Sequence, residues 1–124
     1  WEKGAHGFMK HLGADVHAML ERGRGNWVLR QVVDYIAEVG EGDTVSVYGR
    51  LVGFTPKRLH NKYWMYNETR DSVAAASEVL VTCADLNARR TAPFPDDMAK
   101  GIRARLAEFD ALGWPAPVSG AIHA

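Results

Sequence analysis

Apolar residues in the first part of the chain follow the helical period of about 3.6 residues. They stand at Ala5, Phe8, Met9 and Leu12. The spacing predicts a helix over residues 1–12 that ends at Gly13 in the C-cap position. A short second helix is predicted over residues 16–21, with Asp15 as its N-cap.

Two glycines, Gly4 and Gly7, interrupt the first predicted helix. Glycine lowers helix propensity by roughly 1 kcal/mol relative to alanine, so these positions weaken the helix locally. Glycine also lacks a Cβ and permits the close approach of another backbone or of a ligand. The pair is consistent with a helix that packs tightly into a concave sheet, and the alternative is simply a helix of low stability.

The period changes to that of β-strands after residue 26. β-Branched and aromatic residues crowd the next segment, and further strand-like segments follow, separated by short polar turns. The predicted strands span residues 27–39, 44–54, 55–67 and 73–86. Short turns between consecutive strands predict an antiparallel sheet. The small residues Ala74, Ala75 and Ala76 suit a sheet that curls closely around another element.

The last part of the chain combines a loop, a helix and a tail. Residues 87–95 are predicted to be a loop, and residues 96–109 an amphipathic helix capped by Asp96. The tail from Gly113 is expected to be irregular. Helices, strands and a closing helix in this order indicate an α+β fold with the first helix against one sheet face. Long strands curl, so the sheet should bend around that helix.

Composition limits the classes of function. The chain has 124 residues, 47% of them hydrophobic, and a formal net charge of zero, which predicts one soluble domain over residues 1–124. Zero net charge argues against a nucleic-acid partner, and no apolar run is long enough to predict a membrane partner. The lone Cys83 excludes an internal disulfide and favours the reducing cytoplasm. The histidine spacings support no metal site.

Three short patterns, in this order, are similar to those of hotdog-fold acyl-CoA thioesterases. They are Asp34-Tyr35, Gly42-Asp43 and EVLVTCAD over residues 78–85. The chain resembles the 4-hydroxybenzoyl-CoA thioesterase-like branch, and residues 57–60 and 89–95 are similar to the betainyl-CoA thioesterases of carnitine catabolism. The resemblance implies a long curved sheet around a central helix, a homodimer or tetramer, and a coenzyme A thioester as substrate without a further cofactor.

The resemblance also implies a first strand and an aspartate-centred motif before the central helix, and the sequence contains neither. Trp1-Glu2 is similar to an aromatic-glutamate pair partway along that helix. The chain is therefore expected to begin inside the helix, without the first strand. Either the missing residues exist upstream, or the protein is a catalytically depleted relative.

Thioester hydrolysis requires a carboxylate as nucleophile or general base, and N–H groups that polarise the carbonyl oxygen. Glu2 is the nearest acid candidate, with His6 one turn later, although the principal acid is expected upstream of Trp1. Asp34 on the first strand could face the site of a neighbouring subunit. The structural alternatives are ordinary polar helix positions for Glu2 and His6, and a solvated or salt-bridged strand residue for Asp34.

The segment TPKRLHNKYWMYN, residues 55–67, places basic residues ahead of large rings. Coenzyme A would explain both, because it has phosphates at one end and an acyl-pantetheine arm at the other. The expected phosphate contacts are Lys57, Arg58, His60, Arg89 and Arg90, and the expected channel residues are Arg24 and Asn26. The alternative for the basic residues is surface solubility. A trimethylammonium acyl group such as betainyl could rest on aromatic faces. The competing hypothesis is a noncatalytic module that binds acyl-CoA or a lipid-like ligand.

Overall fold

The computed structural model describes residues 1–122 and residue 124. Its elements follow in chain order: α1 (Glu2–His11), α2 (Val16–Glu21), β1 (Arg24–Tyr35), β2 (Val45–Phe54), β3 (Arg58–Asn67), β4 (Ser72–Asp85), β5 (Arg90–Thr91) and α3 (Asp96–Asp110). The predicted α+β order is confirmed. The structure also contains a strand that was not predicted: β5 has two residues and lies inside the segment predicted to be a loop.

The sheet is antiparallel with the strand order β1-β4-β3-β2, and β5 pairs with β4. β4 lies between β1 and β3, and all of its residues from 74 to 84 are buried. β1 and β2 are the two edge strands among the described residues. A central strand that is covered on both faces is rich in apolar residues on both sides. For this reason the sequence of β4 shows little alternation of polar and apolar residues.

The inner face of the sheet carries the hydrophobic core. The buried core residues include Leu51, Leu59, Tyr63, Val79 and Val81 from the strands, and Met9, Leu12, Met19, Phe94 and Ile102 from the helices and loops. α1 packs on β2 within this core, and α3 packs beside it. One helix inside a curved sheet is the predicted arrangement, and it is confirmed.

The two glycines of α1 differ in their surroundings. A Cβ on Gly4 would lie 2.6 Å from Val47 Cβ, so this position does require close approach of the helix to β2. A Cβ on Gly7 would meet no atom within 4 Å. The interpretation that these glycines allow tight packing of the helix into the sheet is therefore confirmed for Gly4. It is wrong for Gly7, because Gly7 faces away from the sheet.

Several predicted boundaries differ from the structure, most clearly in β1 and α3, and β3 begins at Arg58 rather than at residue 55. β1 begins at Arg24 rather than at residue 27, and it ends at Tyr35 because the next two backbone N–H groups both donate to Ala74 O, which breaks the ladder. Asp96 is not the cap of α3, since Pro95 occupies the N-cap and Asp96 lies in the first turn. Asp15 does cap α2, where its Oδ2 accepts a hydrogen bond from the Ala18 N–H at 3.3 Å.

The irregular tail crosses the outer face of the sheet, and we call residues 113–122 the strap. The Trp114 ring lies 4.1 Å from the guanidinium carbon of Arg50. Farther along, the Ser119 N–H donates to Glu78 Oε2 at 2.8 Å. The strap thus covers polar residues that β2, β3 and β4 direct away from the core. Among the described residues, no helix is both long enough and apolar enough to span a membrane.

Candidate active site

A pocket of about 550 Å³ opens between the two N-terminal helices and the inner face of β1 and β4. Most of its wall is apolar. The polar lining residues are Glu2, His6, Asn26, Gln31 and Ser77. A concave apolar site of this size with a few convergent polar groups has the character of a small-ligand pocket.

Glu2 and His6 both line the pocket from α1. They stand four residues apart, so helical geometry places them one above the other on the same face. Both side chains are solvent-exposed, and Glu2 is the only carboxylate among the lining residues. The structure therefore brings these two predicted residues together at the pocket, while their catalytic role stays a prediction.

Asn26 lines the pocket, as predicted, and has a free acceptor. Its Nδ2 lies 3.5 Å from Met19 Sδ, and its buried Oδ1 has no hydrogen-bond partner among the described residues. A ligand N–H or O–H could satisfy that oxygen.

Sequence reasoning missed Gln31 and Ser77. Gln31 Nε2 donates to Ser77 Oγ at 2.9 Å on the strand wall of the pocket. Strict alternation from Asn26 would direct Arg30 toward the pocket, but the β1–β4 register shifts between Val28 and Arg30. This bulge turns Gln31 inward. No turn or glycine signal in the sequence marks it, so the pattern alone could not identify Gln31.

The pocket is poor in positive charge. No lysine or arginine lines it, and its aromatic lining residues include Trp1 and Tyr63. Trp27 pairs with Thr82 between the inward-facing Asn26 and Val28, so its side chain projects from the outer face. Burial raises the pKa of Tyr63 to about 12, against the opposing effect of the Asn61 amide, which donates to its hydroxyl at 3.1 Å. Tyr63 is thus neutral near pH 7. The wall that faces a ligand combines aromatic surface, neutral amides and one carboxylate.

The predicted phosphate-binding residues fall into two groups. Lys57 and Arg58 are exposed just before and at the start of β3, and Arg89 and Arg90 are exposed beside β5. Both pairs flank the same end of β4, because Lys57 O accepts from the Cys83 N–H at 2.7 Å and Arg90 pairs with Asp85. The structure therefore collects these four cations at one end of the sheet.

His60 does not belong to that exposed group. Its side chain is buried on the outer face, where Nε2 lies 2.7 Å from Glu78 Oε1. An ionised Glu78 can only accept, so His60 Nε2 is the donor. The reason for the difference is the strap, which covers this part of β3 and which no sequence pattern indicated. The geometry does not support His60 as a phosphate contact.

Arg24 and Asp34 also lie outside the pocket lining. Arg24 Nη1 lies 3.5 Å from Asp85 Oδ2 at the end of β1, and its buried Nε has no hydrogen-bond partner among the described residues. Asp34 pairs with Ala76 in the ladder, and its exposed side chain is not part of the pocket wall. A role for Asp34 at the site of a neighbouring subunit stays a prediction.

Cys83 is part of the core, as predicted. Burial raises the pKa of its thiol above the ordinary value, and the opposing effect of nearby Arg24 is smaller. A buried thiol of raised pKa is a poor nucleophile. Among the described residues, no group of three or more histidine, cysteine, aspartate or glutamate side chains is placed to hold a metal ion.

The curved antiparallel sheet, the enclosed helix and the pocket between them define a hotdog-fold protein. The model of the thioesterase-like superfamily matches residues 2–102, and the chain belongs to that superfamily. The resemblance proposed from the sequence is confirmed at this level.

Similar proteins support the same assignment. The betainyl-CoA thioesterase of Pseudomonas aeruginosa is 29% identical over 114 residues, which cover 92% of this chain and 72% of that protein. The L-carnitine dehydrogenase/betainyl-CoA thioesterase of Agrobacterium fabrum is 30% identical over 120 residues, with 82% of this chain and 25% of that protein covered. A Staphylococcus aureus protein solved in complex with CoA has the same fold, with a TM-score of 0.80, 20% identity, and coverage of 97% of this chain and 75% of that one.

Proposed function

We propose that this chain is an acyl-CoA thioesterase and that betainyl-CoA, or another small acyl-CoA, is its substrate. The products would be the free acid and coenzyme A. Membership of the thioesterase-like superfamily and the names of the two relatives support hydrolysis of an acyl-CoA. The observation that carries the proposal for this particular site is the placement of Glu2 in the wall of a 550 Å³ pocket on the inner sheet face.

Glu2 would act as the general base. Its carboxylate takes a proton from water, the water oxygen attacks the thioester carbonyl carbon, and the carbon–sulfur bond breaks as the thiol leaves with a proton. His6, one turn away in the same pocket wall, would take that proton from Glu2 and deliver it to the leaving sulfur. An acid upstream of Trp1, expected from the sequence resemblance, is the alternative base.

The pocket wall favours a cationic acyl group. A quaternary ammonium is attracted to the faces of tryptophan and tyrosine rings, and the pocket lining includes Trp1 and Tyr63. Glu2 adds negative charge, and the absence of lysine and arginine from the lining removes like-charge repulsion. A betainyl group fits this description better than a neutral alkyl chain does.

The other end of the substrate and the assembly follow from the same geometry. Lys57, Arg58, Arg89 and Arg90 would bind the phosphates of coenzyme A by charge-assisted hydrogen bonds. β1 has a free edge in the described chain, and its Val28 and Leu29 side chains are exposed, which supports a homodimer or a tetramer built on that edge. We place the protein in the cytoplasm, consistent with a free buried cysteine.

The test is release of free thiol by the native-length protein. We would compare betainyl-CoA, acetyl-CoA and a medium-chain acyl-CoA for wild type, Glu2→Gln and the control Glu21→Gln, which alters an exposed glutamate at the end of α2. We expect turnover of betainyl-CoA and a loss of about 100-fold or more in kcat for Glu2→Gln alone.

Two other results are informative. Full activity of Glu2→Gln would exclude Glu2 as the base while leaving the thioesterase in place. Tight coenzyme A binding without turnover of any thioester would contradict the enzyme and support the noncatalytic binding module.

A further inference from the structure

A row of charged residues crosses the outer face of the sheet. The strand register aligns Arg50 on β2, Lys62 on β3 and Glu78 on β4 side by side. All three are buried, with 6%, 7% and 1% of their surface exposed. Directly opposed residues in a sheet have Cβ atoms about 5 Å apart, and like charges in such positions repel. Arg50 and Lys62 are therefore two buried cations on adjacent strands.

The carboxylate of Glu78 does not neutralise this pair. One of its oxygens lies 2.7 Å from His60 Nε2, and the other accepts the Ser119 N–H at 2.8 Å. In the part of the chain that the structure describes, neither Arg50 nor Lys62 has a carboxylate oxygen within 4.0 Å. The row thus contains more buried positive than negative charge.

Arg50 also has unused hydrogen-bond donors. Its Nη2 lies 3.3 Å from Phe109 O, whereas Nε and Nη1 are buried and have no acceptor among the described residues. Buried polar groups are normally hydrogen-bonded, and buried charges are normally paired. A guanidinium has two bidentate edges, Nε–Nη2 and Nη1–Nη2, and each matches two oxygens of a carboxylate or a phosphate. Phe109 O occupies at most one of the two Nη2 hydrogens, so one of these edges is open to an oxyanion.

The strap covers the row without belonging to the core. Trp114 lies over Arg50, and Ser119 binds Glu78, so residues 115–118 pass over the intervening position of Lys62. The strap residues are mostly exposed, and one end is fixed by Ile122, which is buried. The row is on the opposite sheet face from the acyl pocket, so an anion here does not share that site.

We propose that Arg50 and Lys62 form a binding site for a small oxyanion, a carboxylate or a phosphate, beneath the strap. The anion accepts hydrogen bonds from the open edge of the Arg50 guanidinium and lies beside the ammonium of Lys62. It neutralises the excess charge of the row. The site is independent of thioester hydrolysis, and its test does not use activity.

The experiment measures thermal unfolding in phosphate and, separately, in acetate, each against sodium chloride of equal ionic strength at one pH. For wild type we expect a saturable rise in Tm of roughly 5 °C or more when the anion is present at about 100 times its Kd. Saturation by phosphate alone identifies a phosphate site, and saturation by acetate alone identifies a carboxylate site. Lys62→Met removes the like-charge neighbour of Arg50, so its Tm without either anion should exceed that of wild type. Its Tm should not respond to either anion.

Two further variants complete the test. Arg50→Gln should also lose the response, and Lys62→Met keeps the proposal testable if Arg50→Gln does not fold. Lys100→Met changes an exposed lysine on α3 and should respond to the anion as wild type does. The proposal is overturned if neither anion raises the Tm of wild type beyond the chloride control. An equal rise in wild type and Lys62→Met would overturn it as well.

Discussion

Gly4 of α1 lies directly against Val47 of β2, so closely that a Cβ on the glycine would be 2.6 Å from the valine Cβ. Real Cβ atoms do not approach to this distance, and the helix can sit in the concave sheet only because residue 4 has no side chain. The same contact recurs one turn later, where a Cβ on Gly49 of β2 would fall 2.5 Å from the Phe8 ring. Two glycines, one on each element, thus set the distance between helix and sheet.

The first prediction compares the two glycines of α1. Gly4→Ala should lower the free energy of unfolding by about 1–3 kcal/mol, because the new methyl group overpacks the helix against β2. Gly7→Ala, where the Cβ meets nothing within 4 Å, should raise it by roughly 0.5–1 kcal/mol through helix propensity alone. Urea unfolding of both variants measures the difference, and equal stability would contradict this description of the helix–sheet contact.

The second prediction concerns the acid stability of the outer face. Burial raises the pKa of Glu78, but the hydrogen bonds from Ser119 and His60 together outweigh it, and the net pKa lies below the ordinary value. The folded protein therefore binds fewer protons at this site than the unfolded chain. This contribution to stability is complete above the unfolded pKa of about 4.3 and is lost as the pH falls through the folded pKa.

Glu78→Gln tests this sign. The variant should be less stable than wild type at pH 7, by about 1–3 kcal/mol, because a neutral amide accepts weaker hydrogen bonds than a carboxylate. The gap should shrink as the pH is lowered below about 4. Urea unfolding across this range, with the exposed Glu108→Gln as control, gives the measurement. A stability difference that stays constant with pH would show that ionisation of Glu78 does not stabilise the folded protein.

The third prediction is that Cys83 does not react in the native state. Its thiol is fully buried and its pKa is raised by that burial, so the thiolate is both scarce and inaccessible. An aromatic disulfide reagent at pH 8 should detect no thiol in the folded protein and one thiol per chain in denaturant. Rapid reaction of the folded protein would place Cys83 nearer to solvent than the core position described.

The fourth prediction tests the aromatic recognition of a cationic acyl group. Trp1→Leu should reduce kcat/KM for betainyl-CoA about 5- to 30-fold more than for tert-butylacetyl-CoA, its neutral carbon isostere, because only the cation is attracted to the ring face. Trp64→Leu alters a tryptophan packed against Trp114 under the strap and should leave the ratio of the two substrates unchanged. An equal loss for both substrates would show that Trp1 makes only an apolar contact with the acyl group.

Much of the fold could be predicted from the sequence, because helix and strand patterns depend on residues that are close to one another in the chain. The helical spacing of α1, the Asp15 cap and the four main strands all depend on neighbours within a few residues. The site was only partly readable. Glu2 and His6 share one helical face, which their spacing predicts, and both reach the pocket with Asn26. The position of Gln31 in the pocket could not be predicted from the sequence, because the bulge that turns it inward depends on the pairing of β1 with β4.

The sequence by itself determined the order of the elements, the inert character of Cys83 and the chemistry available to the pocket, since residue type and spacing are sufficient for these. Tertiary structure alone decided which polar residues share a surface. His60 follows Lys57 and Arg58 along the chain, yet it lies buried against Glu78. The physical reason is that the strap meets β3 through Trp114 and Trp64, which are about 50 residues apart in the chain. No periodic pattern encodes a contact at such a separation.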